Sequence, residues 1–437
     1  MVKACLASSY YSHFISATGV LGFVFVILIL VLSLARLFYC YFFKQEGVYL
    51  LDFSCLTAPP YLRCPSAHFA EQISLINHFD GKSIDFMIKV LKTSGIGEET
   101  CLPPSLHCLP PNVHLQESLK EARMLLFRVL DDLFAKNQVN PTDIDILVVN
   151  CSGFCPFPSL SSIVVNHYNM REDIKTFNIS GMGCSASIIG VDIVKDLLKL
   201  RPNSHAILLS TEILSTVWYG GRDPPKLVLN CSFRMGSAAI LLTNRKDCRQ
   251  RARYKLVHLL RTQSASNDGA YNSVIRKEDS QGITGCHIER NILCHVREII
   301  RDHIIVFGSM ILPLKEKLRY VFYHFINTMY SDSSLKMKKD KYTYIPRFGS
   351  VIQHYCIPAS GLPIIREIGK GMALTEWDME PAIAIYRRFG NQGSASMWYQ
   401  MEYMAVKRRL AKGDKIWLFG FGTGLKCCSA VWECLVN

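Results

Sequence analysis

Three short runs in this chain are apolar at nearly every position: Ile146-Leu147-Val148-Val149, Ala206-Ile207-Leu208-Leu209 and Ala238-Ala239-Ile240-Leu241-Leu242. A strand without polar alternation has to be covered on both faces, and helical patterns between such runs point to an α/β sheet. Between the first two runs, Asn178-Ile179-Ser180-Gly181-Met182-Gly183-Cys184-Ser185-Ala186 leads into Ile188, Ile189, Val191, Ile193, Val194, Leu197 and Leu198. Those apolar positions recur at helical spacing, and the glycines permit a tight turn into the helix. A cysteine at the start of a buried helix meets unpaired N–H groups and the positive end of the dipole, which favour the nucleophilic thiolate. Cys184 is therefore the candidate nucleophile. Free cysteine also packs as a small buried hydrophobe, and the residues alone leave both readings open.

With 437 residues, 49% of them hydrophobic, the chain can bury a large core in two or three structural units. A formal charge of +13 suits an anionic partner. Zinc-finger spacing, RNP-type aromatics and long Lys/Arg blocks are missing, so nucleic acid is set aside in favour of an acidic membrane surface or a phosphate-bearing ligand. Seventeen scattered cysteines fit a reducing cytosol better than a disulfide framework. Cys286-His287 and Cys294-His295 are spaced too widely for a structural zinc site, and no metal is expected.

Residues 14–35 carry no charge. At about 1.5 Å per residue, twenty-two of them reach roughly 33 Å, enough for the hydrocarbon core of a bilayer, and the reading is a transmembrane helix. The run is too long for a signal peptide, and Phe38, Tyr39, Tyr41, Phe42 and Phe43 mark an interfacial belt. Arg36 and Lys44 against Lys3 place the larger part in the cytosol. Residues 48–55 alternate like a strand, 56–113 read as irregular covering structure, and 115–135 form an amphipathic helix ending before Asn140-Pro141. The expected divisions are a tail at 1–13, an anchor at 14–43 and a covering segment at 44–113. A cysteine-bearing half at 114–310, a basic insertion at 311–345 and a second half at 346–437 follow.

Several motifs together resemble the plant 3-ketoacyl-CoA synthases, the condensing enzymes of very-long-chain fatty acid elongation. They are the Cys184 segment, Val48-Tyr49-Leu50-Leu51-Asp52, Arg234-Met235-Gly236-Ser237-Ala238-Ala239, Lys255-Leu256-Val257-His258, Arg388-Phe389-Gly390-Asn391 and Gly422-Thr423-Gly424-Leu425. The resemblance runs from about residue 47 to the end. It implies a thiolase-like fold of two similar βα halves, layered αβαβα, behind the membrane helix. It implies acyl-CoA and malonyl-CoA as substrates with no tightly bound cofactor, and residence in the endoplasmic reticulum membrane with the catalytic part cytosolic. It also implies a homo- or heterodimer with other condensing enzymes and contact with other elongase components. Many members of that family carry a two-span hairpin, whereas the uncharged stretch here suffices for one span. Cys184 would hold the acyl chain, Asn391 would stabilise the oxyanion, and Gly181, Gly183, Gly422, Gly424 and Arg387 would contact substrate.

The family's histidines are largely replaced. Its "HFCIHAGG" reads here as His354-Tyr355-Cys356-Ile357-Pro358-Ala359-Ser360-Gly361, so Pro358 stands where the catalytic imidazole is expected. Gln263 and Arg387 occupy two further histidine positions, and His354 is the one retained. His354 stays among the candidate catalytic residues, although four extended residues put it roughly 13 Å from position 358. His258 is a second imidazole whose reach the sequence does not fix. The expectation is a condensing enzyme impaired at the imidazole, with a regulatory, acyl-CoA-binding paralogue as the alternative.

Overall fold

A computed structural model describes Val31, residues 47–331 and residues 346–436. The chain divides into Met1–Glu46 and Gly47–Asn437, and the second unit is described here. The span expected at 14–35, Val31 apart, and part of the basic insertion lie outside the described residues. Among the described residues no helix is long and apolar enough to cross a membrane.

The strands are β1 (Tyr49–Cys55), β2 (Ile146–Asn150), β3 (Lys175–Ile179), β4 (His205–Thr211), β5 (Ser237–Thr243) and β6 (Tyr254–Gln263). They continue as β7 (Val274–Glu278), β8 (Thr284–Ile288), β9 (His354–Cys356), β10 (Lys415–Gly422) and β11 (Lys426–Cys434). The helices are α1 (Ser66–Leu75), α2 (Gly81–Ser94), α3 (Leu115–Asn137), α4 (Leu160–Tyr168), α5 (Ala186–Leu200), α6 (Leu214–Val217) and α7 (Pro224–Ser232). After them come α8 (Asp268–Asn272), α9 (Ile292–Ile311), α10 (Leu314–Ser331), α11 (Leu362–Gly371), α12 (Glu376–Phe389) and α13 (Ser396–Val406).

The three apolar runs form β2, β4 and β5, buried at every position. They belong to one nine-stranded mixed sheet, ordered β3-β2-β4-β5-β1-β6-β11-β10-β9. β2 is parallel to β3 and β4, whereas β5 runs antiparallel to β4 and β1. Residues 56–113 are not irregular as expected. They hold α1 and α2, whose Phe69, Ile73, Met87 and Leu91 pack with α3 against one face of the first half-sheet.

Alternation along each strand sends its residues to two cores. In β5, Ala239 and Leu241 join the α3 side, and Ala238, Ile240 and Leu242 join a cluster with Ile188, Val191 and Val194 of α5. In β11, Cys428, Ala430 and Trp432 join that same cluster, and Cys427 and Val431 join a third with Phe307 of α9. Helices α5 and α13 thus share one core between the halves, and a section reads helix, strand, helix, strand, helix. A fully buried polar chain links them. Ser394 Oγ donates to Asn150 Oδ1 at 2.7 Å, and Asn150 Nδ2 donates to Ser210 Oγ at 2.6 Å. Ser210 Oγ and Trp398 Nε1 both donate to Ser187 Oγ, at 2.9 and 2.6 Å. Each polar group taken out of water is matched within the chain, so the link costs little and sets the two halves against each other.

Candidate functional site

The two halves meet at a pair of similar turns. A 3₁₀ turn at Gly183–Ser185 opens α5, and another at Gly393–Ala395 opens α13; the two pack together. Each begins with a glycine at φ +60°. Gly183 leaves no room for a side chain, because a Cβ would come within 2.8 Å of Thr423 N and 3.1 Å of Gly422 Cα. Gly422 is closed in turn, since its Cβ would overlap Met182 O and Ser185 Oγ. Thr423 Oγ1 donates to Gly181 O at 2.6 Å. The β10–β11 turn is thereby the floor under the Cys184 loop. Gly181, Gly183, Gly422 and Gly424 shape that floor, and none of them lines the cavity above it.

That cavity is lined by Cys184, Pro358, Ala359, Ser360, Asn391, Gly393, Ser396, Met397, Phe419 and Gly420. At about 10 Å³ it has room for about one water molecule. Cys184 and Asn391, 207 residues apart in the chain, share its wall. Asn391 Oδ1 accepts from Gly393 N at 2.9 Å, which leaves the amide Nδ2 as the group able to donate. The backbone of Asn391 is pinned as well: its N–H reaches Ser232 O at 3.1 Å, and its carbonyl accepts from Arg234 N at 2.9 Å.

The thiolate expected of Cys184 is not what this setting favours. Burial pushes the thiol up to about 12, and the nearby charge of Glu212 adds to the shift. Taking a sulfur anion out of water outweighs what the helix end supplies. Of the lining side chains, Cys184, Ser360, Asn391 and Ser396 are polar, and none is a base at neutral pH.

The remaining histidine lies elsewhere. His354 is buried in the edge strand β9, and its Nε2 sits 2.9 Å from Asp414 Oδ2. It is not among the cavity residues. His258 sits in β6 opposite Val431 and also stays outside. Gln263 ends β6, opposite Lys426, with its side chain exposed. Arg387 is exposed in the last turn of α12, and its carbonyl accepts from Gly97 N at 2.9 Å. Pro358 alone of the altered positions reaches the cavity.

Sequence reasoning missed Glu212, just beyond β4. It is buried, and its carboxylate accepts from Ser152 N at 3.0 Å and Gly153 N at 3.1 Å. It also packs on Gly393, where a Cβ would lie 2.7 Å from its Cγ. An acidic residue at the end of an apolar strand was the available signal. Beyond the loop that Glu212 holds, Arg276 donates to Gly153 O at 3.0 Å and to Thr216 O at 3.2 Å. It borders a larger cavity of about 560 Å³ walled by Ile76, Phe79, Leu115, Phe154, Trp218 and Ile283 among others. Among the described residues no group of three or more His, Cys, Asp or Glu is placed to hold a metal.

Comparison with known proteins agrees with this geometry. The FAE1/Type III polyketide synthase-like family matches residues 40–329, and the 3-oxoacyl-[acyl-carrier-protein] synthase III C-terminal family matches residues 350–434. The chain is 42% identical to 3-ketoacyl-CoA synthase 5 of Arabidopsis thaliana over 395 residues, 90% of this chain and 78% of that protein. It is also 42% identical to 3-ketoacyl-CoA synthase 6 of the same plant over 392 residues, 90% of this chain and 77% of the relative. Among solved structures, PKS-I from the brown alga Ectocarpus siliculosus superposes with a TM-score of 0.68 at 17% identity, covering 89% of this chain and 98% of that one. CsyB complexed with CoA-SH gives 0.63 at 16% identity, covering 89% and 100%. These superpositions show the thiolase-like fold of the type III polyketide synthases. Two facing glycine turns, a cysteine at the head of a buried helix and identity over nine-tenths of the chain place this protein in the 3-ketoacyl-CoA synthase family of acyl-transferring condensing enzymes.

Proposed function

We propose that the protein catalyses, at a reduced rate, the condensation of malonyl-CoA with a long-chain acyl-CoA. The observation that carries this reading is the shared cavity of Cys184 and Asn391. Cys184 sulfur attacks the acyl-CoA carbonyl, coenzyme A leaves as its thiol with the cysteine proton, and an acyl thioester remains on Cys184. Malonyl-CoA then loses CO₂, and the electron pair freed from the broken C–C bond forms an enolate whose oxygen accepts from Asn391 Nδ2. The enolate carbon attacks the acyl carbonyl, and Cys184 leaves and regains a proton. The product is 3-ketoacyl-CoA. A positioned donor such as Asn391 stabilises an oxyanion by about 3 kcal/mol.

Proline at 358 bears on both steps, because it has neither a titratable group nor an N–H. Losing one positioned acid–base group costs on the order of 10² to 10⁴ in rate. The 560 Å³ cavity with Arg276 at its border has the size and a largely apolar lining suited to an acyl chain. The reading includes residence in the endoplasmic reticulum membrane through residues 14–35, with the catalytic part in the cytosol. It also includes pairing with a second condensing enzyme and contact with other elongase components. A second reading, an acyl-CoA-binding paralogue that tunes active synthases, is favoured by Pro358 itself.

One experiment separates the two. Purified full-length protein is given a long-chain acyl-CoA and labelled malonyl-CoA, with acyl-Cys184 and condensed product scored separately, beside Pro358→His. Slow product that rises in the variant supports the impaired synthase. Acyl-enzyme without product in either protein supports the paralogue.

A further inference from the structure

Helix α10 is turned the wrong way out for a helix of a water-soluble domain. Leu314, Leu318, Val321, Phe322 and Phe325 are 69, 58, 61, 66 and 61% exposed. At 100° per residue these five fall within an arc of about 100°, a continuous apolar stripe. Glu316, about 170° round from the centre of that arc, is buried, with Arg319 Nη1 donating to its Oε1 at 2.6 Å. The acidic side of the helix therefore faces the domain and the apolar side faces out. Lys315 and Lys317 flank the stripe about 70–90° to either side of its centre, where long basic side chains lie along apolar surface and lift their charge to a polar layer. Every exposed charge from 314 to 325 is basic.

We propose that this face of α10 lies in the interface of an anionic lipid bilayer, its stripe among the upper acyl chains and Lys315 and Lys317 at the headgroups. Five contiguous large apolar residues exceed the scattered exposure ordinary for a soluble surface. The pattern of apolar arc with basic borders is that of a helix lying in the membrane plane. The charges also argue for this occupant over a second copy of the chain, because docking two such faces would oppose Lys315, Lys317 and Arg319 with their own counterparts.

The test uses the full chain reconstituted in phosphatidylcholine–phosphatidylserine vesicles containing a phospholipid brominated high on its acyl chain. Phe322→Trp adds a fluorophore in the stripe, and Leu200→Trp adds one at an exposed position outside it. Relative to unbrominated vesicles, the emission added at 322 falls by roughly half and that added at 200 is unchanged, and omitting phosphatidylserine weakens the effect. Equal quenching at both positions, or none at 322, overturns the proposal. If 322 is unquenched and Leu318→Glu with Phe322→Glu breaks a larger assembly into a smaller one, the occupant is a second copy.

Discussion

Pro358 lines the same cavity as Cys184, and no side chain between them can take a proton at neutral pH. The site keeps the cysteine and the amide proposed as nucleophile and oxyanion donor, and its lining holds no group that would move protons to and from either. The reactivity of Cys184 is the first place where this shows.

With the thiol pushed up to about 12, alkylation of Cys184 by iodoacetamide should rise about tenfold per pH unit from 7 to 10 and reach no plateau. Pro358→His should raise the rate at pH 7 at least about tenfold and bring a plateau into reach, because a neighbouring imidazolium favours the thiolate. Mass spectrometry of the Cys184 peptide reads both. An unchanged profile would mean that position 358 does not govern the sulfur.

Asn391→Asp keeps an acceptor for Gly393 N but trades the amide donor for a charge. Condensation should fall by about 10² to 10³ while acyl-Cys184 still forms. Equal loss of both steps would assign Asn391 to folding of the turn.

Gly183→Ala meets Thr423 N and Gly422 Cα at a φ of +60°. The variant should lose about 1–3 kcal/mol of stability and acylate slowly, because the loop must lift off its floor. Urea unfolding and acyl-enzyme formation check the two effects separately.

His303 gives a pH signature. Its ring is fully buried, with Nδ1 2.8 Å from Thr262 Oγ1 and Nε2 2.7 Å from Ser429 Oγ, and burial lowers it to about 4. Between about 6.5 and 4 the unfolded chain binds this proton and the folded one does not, so stability is present above 6.5 and is lost as pH falls through that window. From pH 7 to 5 the loss attributable to His303 should be about 2 kcal/mol. His303→Gln, though less stable overall, should show a correspondingly smaller drop in urea titrations at the two pH values.

Arg387 is exposed, and the planar donor fork of its guanidinium suits a coenzyme A phosphate. Arg387→Ala should weaken coenzyme A binding about tenfold at low salt and less at high salt, read by titration calorimetry. Equal binding in both proteins would remove it from the substrate path.

Much of this could be read from the chain because the signals were local. The apolar runs at 146–149, 206–209 and 238–242 require two-sided cover wherever they sit, and the Gly-x-Gly-Cys approach to α5 is a turn by its own residues. What could not be read depends on distant partners. The second turn, Gly393-Ser394-Ala395-Ser396, echoes Gly183-Cys184-Ser185-Ala186-Ser187, but that the two face each other is set by the folded halves, and α1 and α2 were hidden by a Pro- and Cys-rich composition. The setting of Cys184 was only partly legible, because the helix end can be read in sequence whereas the packing around the sulfur and the nearby Glu212 charge cannot. His354, retained from the family pattern, turned out to be occupied by Asp414.

Strand β1 leads the described domain, yet its place is mid-sheet, paired with β5 along its length and with β6 through Tyr49 and Leu50. Tyr49 is translated 194 residues before its partner Thr243, an interval of about 10–40 s at ordinary rates of synthesis. Throughout that wait both edges of β1 are open while the ribosome delivers the strands that will close them. The seam between the two halves can therefore be sealed only late in synthesis, and a nascent chain of this kind has to be kept from pairing its first strand with the wrong neighbour.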